Sequence, residues 1–61
     1  MLKQVHVQVP VAVFVNDEYM PWERAPYADR LEALLERGLH PRDAKALAHR
    51  LVGGKRVMVQ R

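Results

Sequence analysis

Asn16-Asp17-Glu18-Tyr19-Met20-Pro21-Trp22-Glu23 stands where one sequence period gives way to another. On its N-terminal side valines alternate as in a strand; on its C-terminal side apolar residues recur at helical spacing. These eight residues hold the sole Trp, one of the two Tyr and three of the seven acids. So dense a set of polar and aromatic groups at a strand-to-helix crossing marks the stretch as the candidate site. Reading it as a crossing makes the chain one β-α-α-β unit spanning residues 1–61.

Working back from the crossing, Val occupies every odd position from Val5 to Val15, with Gln4, His6, Gln8, Pro10, Ala12 and Phe14 between. Period-two alternation of β-branched residues predicts a strand. The even face is polar up to Gln8 and apolar from Pro10, so the second half is expected to be covered on both faces. Pro10 cannot donate to a ladder, which predicts one kinked strand or two short strands meeting there.

Working forward, Pro26 is placed to open a helix. Tyr27, Ala28, Leu31, Leu34 and Leu35 form its expected apolar stripe. Gly38 should end it in a left-handed cap, with Leu39 folding back. Pro41 opens a second helix whose expected stripe is Ala44, Leu47, Ala48, Leu51 and Val52, stopped by Gly53-Gly54. The tail from Lys55 alternates again and predicts a short strand. The fold class is therefore α+β, with N- and C-terminal strands in one sheet and the helical hairpin on one face. The C-terminal strand is too short to pair along the whole N-terminal one, and an isolated two-stranded sheet is barely stable. The free edge is thus expected to pair with another chain, most simply in a homodimer.

Composition narrows the classes of function. A 61-residue chain buries only about 60% of its unfolded surface, so such domains lean on disulfides, metals or oligomerisation. There is no Cys, and His6, His40 and His49 lack the short spacings of a zinc module; no metal or cofactor is expected. No apolar run reaches the roughly 20 residues of a membrane span, and the N-terminus does not read as a signal peptide. The cytoplasm is the expected compartment, without membrane association. Charge is uneven: residues 17–36 hold six acids against two arginines, and residues 37–61 hold seven bases against one acid. Such a chain suits an acidic partner or a copy of itself.

Asp17, Glu18 and Glu23 are the clustered carboxylates. Paired carboxylates can serve acid-base chemistry or a hard cation, but acids also suit a turn and a helix start. No Ser/His/Asp set, thiol nucleophile or phosphate-cradling loop is present, and Gly53-Gly54-Lys55 lacks the P-loop spacing. A non-enzymatic role is expected. Arg42, Lys45 and His49 share a helix face, and Arg50, Lys55 and Arg56 can extend it into a basic contact for nucleic acid or an acidic partner. The short turn at Gly38 is compatible with a helix-turn-helix. The second helix, however, offers no Asn, Gln or Ser to read base edges, which favours a plain αα-hairpin.

A strand entering Asn16-Asp17-Glu18-Tyr19-Met20-Pro21-Trp22-Glu23, then two helices, then Gly54-Lys55 and a strand, resembles the ClpS-type adaptors. Those proteins carry an Asn-Asp-Asp-x-Thr-Pro-Met-Glu-like motif in that setting. The resemblance implies a module that binds the free α-amino group of a protein's N-terminal residue and delivers that protein to a Clp protease. Asn16 and Asp17 would accept from the ammonium, and Trp22 would border the hole for the first side chain. The chain departs from the family pattern at Arg24-Ala25-Pro26, and in lacking a His immediately before Gly54-Lys55. The expected function is a non-catalytic protein-interaction module with a peptide or protein partner; the alternative is a small basic nucleic-acid-binding regulator.

Overall fold

The computed structural model describes residues 4–60. Strand β1 (Gln4–Gln8) and strand β2 (Ala12–Val15) are followed by strand β3 (Glu18–Pro21) and a single 3₁₀ turn (Trp22–Arg24). Helix α1 (Tyr27–Glu36), helix α2 (Pro41–Ala48) and strand β4 (Arg56–Gln60) complete the order. The class is α+β as expected, and the terminal strands do pair: β1 and β4 are antiparallel, with Val5 opposite Val59 and Val7 opposite Val57.

The expected element order is corrected. The stretch after Val15 is not a crossing from strand to helix but the turn and returning strand of a hairpin. β2 pairs with β3, setting Val13 opposite Met20 and Phe14 opposite Tyr19. The order is therefore β-β-β-α-α-β, in two antiparallel two-stranded sheets. The hairpin also removes the stated reason for a free edge, because both halves of the N-terminal segment have an in-chain partner.

The two sheets meet at Pro10, where the expected break falls. The β1–β4 ladder runs on through Val9 N–H to the Lys55 carbonyl (2.9 Å) and Gly54 N–H to the Val9 carbonyl (2.8 Å). The hairpin ladder runs back as far as Trp22 N–H to the Val11 carbonyl (2.9 Å). Pro10 lies buried between them and Val11 turns outward in a bend. Of the other odd valines, Val7, Val9 and Val13 are buried and Val15 packs against the core, while Val5 is exposed. The even face of the second half is not covered as expected, since Phe14 stands exposed opposite Tyr19.

The helix ends follow local chemistry. Gly38 takes φ +90°, and the Gly38 and Leu39 N–H groups reach the carbonyls of Leu35 (3.0 Å) and Leu34 (3.4 Å). That is the paired bonding of a Schellman cap, with Leu39 buried just past it. His40 caps α2 by accepting the Arg42 N–H on Nδ1 (3.2 Å), and Pro41 occupies the first turn. The α1 stripe differs from expectation: Leu34 is buried and Tyr27, Leu31 and Ala33 pack against the core, whereas Ala28 and Leu35 are exposed and Arg30 is buried.

Helix α2 stops at Ala48, four residues short of the expected Val52. Ala44, Leu47 and Ala48 are buried as expected, but Leu51 and Val52 are exposed. The cause is a contact that the helical pattern does not contain. The Trp22 indole Nε1 donates to the Arg50 carbonyl at 2.6 Å, and Gly53 sits directly on Pro10 and Trp22. Both draw the segment after α2 off the helical path and across the indole.

Candidate functional site

The hairpin tip explains why its residues are Asn and Asp. Two strands joined by a two-residue loop favour a type I′ turn, which needs positive φ at both loop residues. Asn16 has φ 51° and Asp17 has φ 67°. Short polar side chains tolerate that left-handed conformation better than other non-glycine residues, though not without strain. Asp17→Gly is therefore expected to stabilise the fold by about 0.5–1 kcal/mol. A urea melt followed by circular dichroism checks this, and a lowered midpoint would show the carboxylate making a contact worth more than the strain.

Beside the tip, the outer side of β2 and the exposed side of α1 enclose an open groove of about 630 Å³. Phe14 and Asn16 border it from the hairpin; Asp29, Glu32, Glu36 and Arg37 border it from α1 and its end. Positions 29, 32 and 36 are spaced three and four apart, so they share one helix face. Three carboxylates against one guanidinium give the groove a net negative lining. Phe14 and Ala33 supply apolar wall. The combination suits a group that is cationic at one point and apolar beside it.

The sequence-predicted residues separate at this point. Asn16 borders the groove, while Asp17 lies exposed at the hairpin tip. Trp22 is fully buried and borders no hole; it is the central core residue. Its indole donates to Arg50, and the Arg30 guanidinium lies over its ring with Cζ 5.9 Å from the centroid. Arg30 also donates from an Nη to the Ala25 carbonyl at 3.3 Å, while its buried Nε has no partner. A buried Arg could not be read from the helical pattern, because what holds it is an indole and a carbonyl from the preceding turn.

The basic set divides as well. Arg42 and Arg50 come to one groove of about 460 Å³ against β4, with Asp43 and Met58 beside them. His49, at the end of α2, turns away and stacks on Tyr27 (centroids 4.6 Å apart, planes at 29°). Lys45, Lys55 and Arg56 are exposed and border none of the described grooves. Among the described residues no group of three His, Cys, Asp or Glu side chains could hold a metal ion, and no helix is long and apolar enough to cross a membrane.

Compared with known protein families, curated proteins and solved structures, the chain has no match in any of the three.

Proposed function

We propose that the chain is a non-catalytic cytoplasmic interaction module that binds a peptide or protein through a free amino terminus or basic side chain. The hairpin tip and the adjoining face of α1 form its binding surface. The observation that carries this reading is the groove in which Asn16 and Phe14 face Asp29, Glu32 and Glu36. An ammonium is best held by carboxylate and amide oxygens, and charge-assisted hydrogen bonds of that kind are about twice as strong as neutral ones. The ring of Phe14 offers apolar and cation-binding surface beside them. The likeness of Asn16-Asp17-Glu18-Tyr19-Met20-Pro21-Trp22-Glu23 to the ClpS-type motif supports the same class of ligand. It does so through Asn16 and Asp17, since Trp22 is enclosed.

Binding of a short peptide with a large apolar first residue, measured by calorimetry, tests the reading. Acetylating the peptide's α-amino group is expected to weaken binding about tenfold or more, the scale of one charged contact. Glu32→Gln combined with Glu36→Gln should weaken it similarly while leaving the fold intact, both residues being exposed. Equal affinity for free and acetylated peptide would remove the amino terminus as the ligand.

The second reading, a small basic regulator, rests on Arg42 and Arg50 meeting in one groove. It requires nucleic-acid affinity that falls steeply as salt rises and that Arg42→Gln and Arg50→Gln reduce.

A further inference from the structure

Strand β4 keeps one edge open. Among the described residues it pairs only with β1, so the backbone amide and carbonyl groups on its other side have no ladder. The groove of about 460 Å³ runs beside that edge. One wall is the three successive residues Val57, Met58 and Val59 of β4, and the other is Arg42, Ala46 and Arg50 from α2 and the residues just past it. Successive strand residues point to opposite faces, so a groove that takes in all three follows the edge of the strand and not one of its faces. An open strand edge beside a helix is a template for one more extended chain.

Charge chooses that chain. Positions 42, 46 and 50 recur every four residues, which sets the two guanidiniums about 12 Å apart along the groove with a small residue between them. Both side chains are exposed, and neither guanidinium has a hydrogen bond or ion pair among the described residues. Asp43 is the one acid in the lining. The exposed Lys45, Lys55 and Arg56 flank the groove, so that residues 41–56 hold five bases and one acid.

We infer that the groove takes an extended acidic peptide, which adds a strand to the outer edge of β4 and sets one carboxylate on Arg42 and another on Arg50. In a strand alternate residues share a face and each residue rises about 3.4 Å, so side chains four residues apart lie about 14 Å apart. That span matches the two guanidiniums. The ligand is therefore two acids four residues apart, with an apolar residue midway that lies against Ala46 and Leu47. A nucleic acid would meet the guanidiniums but leave the strand edge unpaired. A second copy of this chain is poorly suited: β1 and β2 contain no acid, Glu18 of β3 sits in the hairpin, and β4 would bring Arg56 toward the guanidiniums. The groove shares no lining residue with the acidic groove at β2 and α1, so this site stands or falls apart from the proposed amino-terminus site.

The probe is the synthetic peptide Thr-Glu-Thr-Val-Thr-Glu-Thr, acetylated and amidated so that it offers no free amino terminus, titrated into the isotope-labelled 61-residue chain and followed by nuclear magnetic resonance. The expected result is saturable binding in which the β4 amides that point away from β1 become protected from hydrogen exchange. Replacing both Glu of the peptide by Gln should weaken binding about tenfold or more. Arg42→Gln combined with Arg50→Gln should do the same and leave the fold intact, because the recorded bonds of both residues are made by their backbone. No binding at about 1 mM peptide, an affinity indifferent to Glu→Gln, or binding without protection of β4 would overturn the inference. So would an oligothymidylate that binds the groove more tightly than the peptide, which would assign it to nucleic acid. Protection of the same amides on raising the protein concentration without peptide would give the edge to a second copy instead.

Discussion

Trp22→Ala is expected to cost about 3–5 kcal/mol, the usual scale for emptying a buried aromatic position. A domain of this size has a total stability of only about 3–9 kcal/mol, so much of the variant should be unfolded at room temperature. Three contacts end together. The core loses its largest fully buried side chain, the Arg50 carbonyl loses its donor, and Arg30 loses the ring beneath its guanidinium. The last loss matters because Arg30 is buried with an unpartnered Nε, and the indole is one of the few groups that favour its charge there. Trp22→Phe separates the terms. It keeps most of the ring but leaves the Arg50 carbonyl without its indole donor, at a cost of about 1–3 kcal/mol. Urea titrations of both variants by circular dichroism would check the order. If Trp22→Phe proved as damaging as Trp22→Ala, the hydrogen bond and not the volume would be the main role of the indole.

Gly53→Ala is expected to be the second severe change. A methyl group there would overlap the Pro10 carbonyl oxygen and come within 2.7 Å of the Trp22 Cβ. Neither neighbour is the free end of a flexible side chain, so relief requires moving backbone. Forced overpacking of this kind costs typically about 1–3 kcal/mol and occasionally more; the upper end is expected, because Pro10 and Trp22 are both buried. Gly38→Ala provides the control. Gly38 has φ +90° but nothing within 4 Å of an added Cβ, so its cost is backbone strain alone, about 1–2 kcal/mol. Comparing the two by thermal melts separates close approach from backbone conformation. Equal losses at both positions would mean that the strand–segment contact at Gly53 yields easily.

These two positions also show why part of the fold was legible and part was not. The break at Pro10, the Schellman end at Gly38, the His40 cap and the start at Pro41 follow from rules acting over four or five neighbouring residues. The pairing of β1 with β4 followed from two alternating segments at opposite ends. The hairpin was missed although its signal was present. Asn16-Asp17 is a turn dipeptide between two strand-compatible runs, but Asp stands where glycine usually marks a type I′ turn. For the candidate site, Asn16, expected as an ammonium acceptor by resemblance, lies at a groove, whereas Trp22, expected to border a hole, is buried in the core. Asp29, Glu32 and Glu36 were seen only as part of an acidic segment, because their groove exists only once β2 lies beside α1.

Local backbone preference was enough, from the sequence by itself, to determine the α+β class and, β3 and the end of α2 apart, the strands and helices and most of their ends. Tertiary structure decided which side chains became core and which became surface wherever the periodic patterns failed to say. Trp22 went from candidate pocket rim to central core residue, Arg30 was drawn in, and Leu51 and Val52 were left outside. The physical reason is separation. The indole and the carbonyl that holds this arrangement lie 28 residues apart, well beyond the three-to-four-residue reach of any periodic pattern. The stretch from Asn16 to Glu23 shows both sides: its first two residues turn the chain by their own conformational preference, and its Trp is buried by residues that no pattern near it contains.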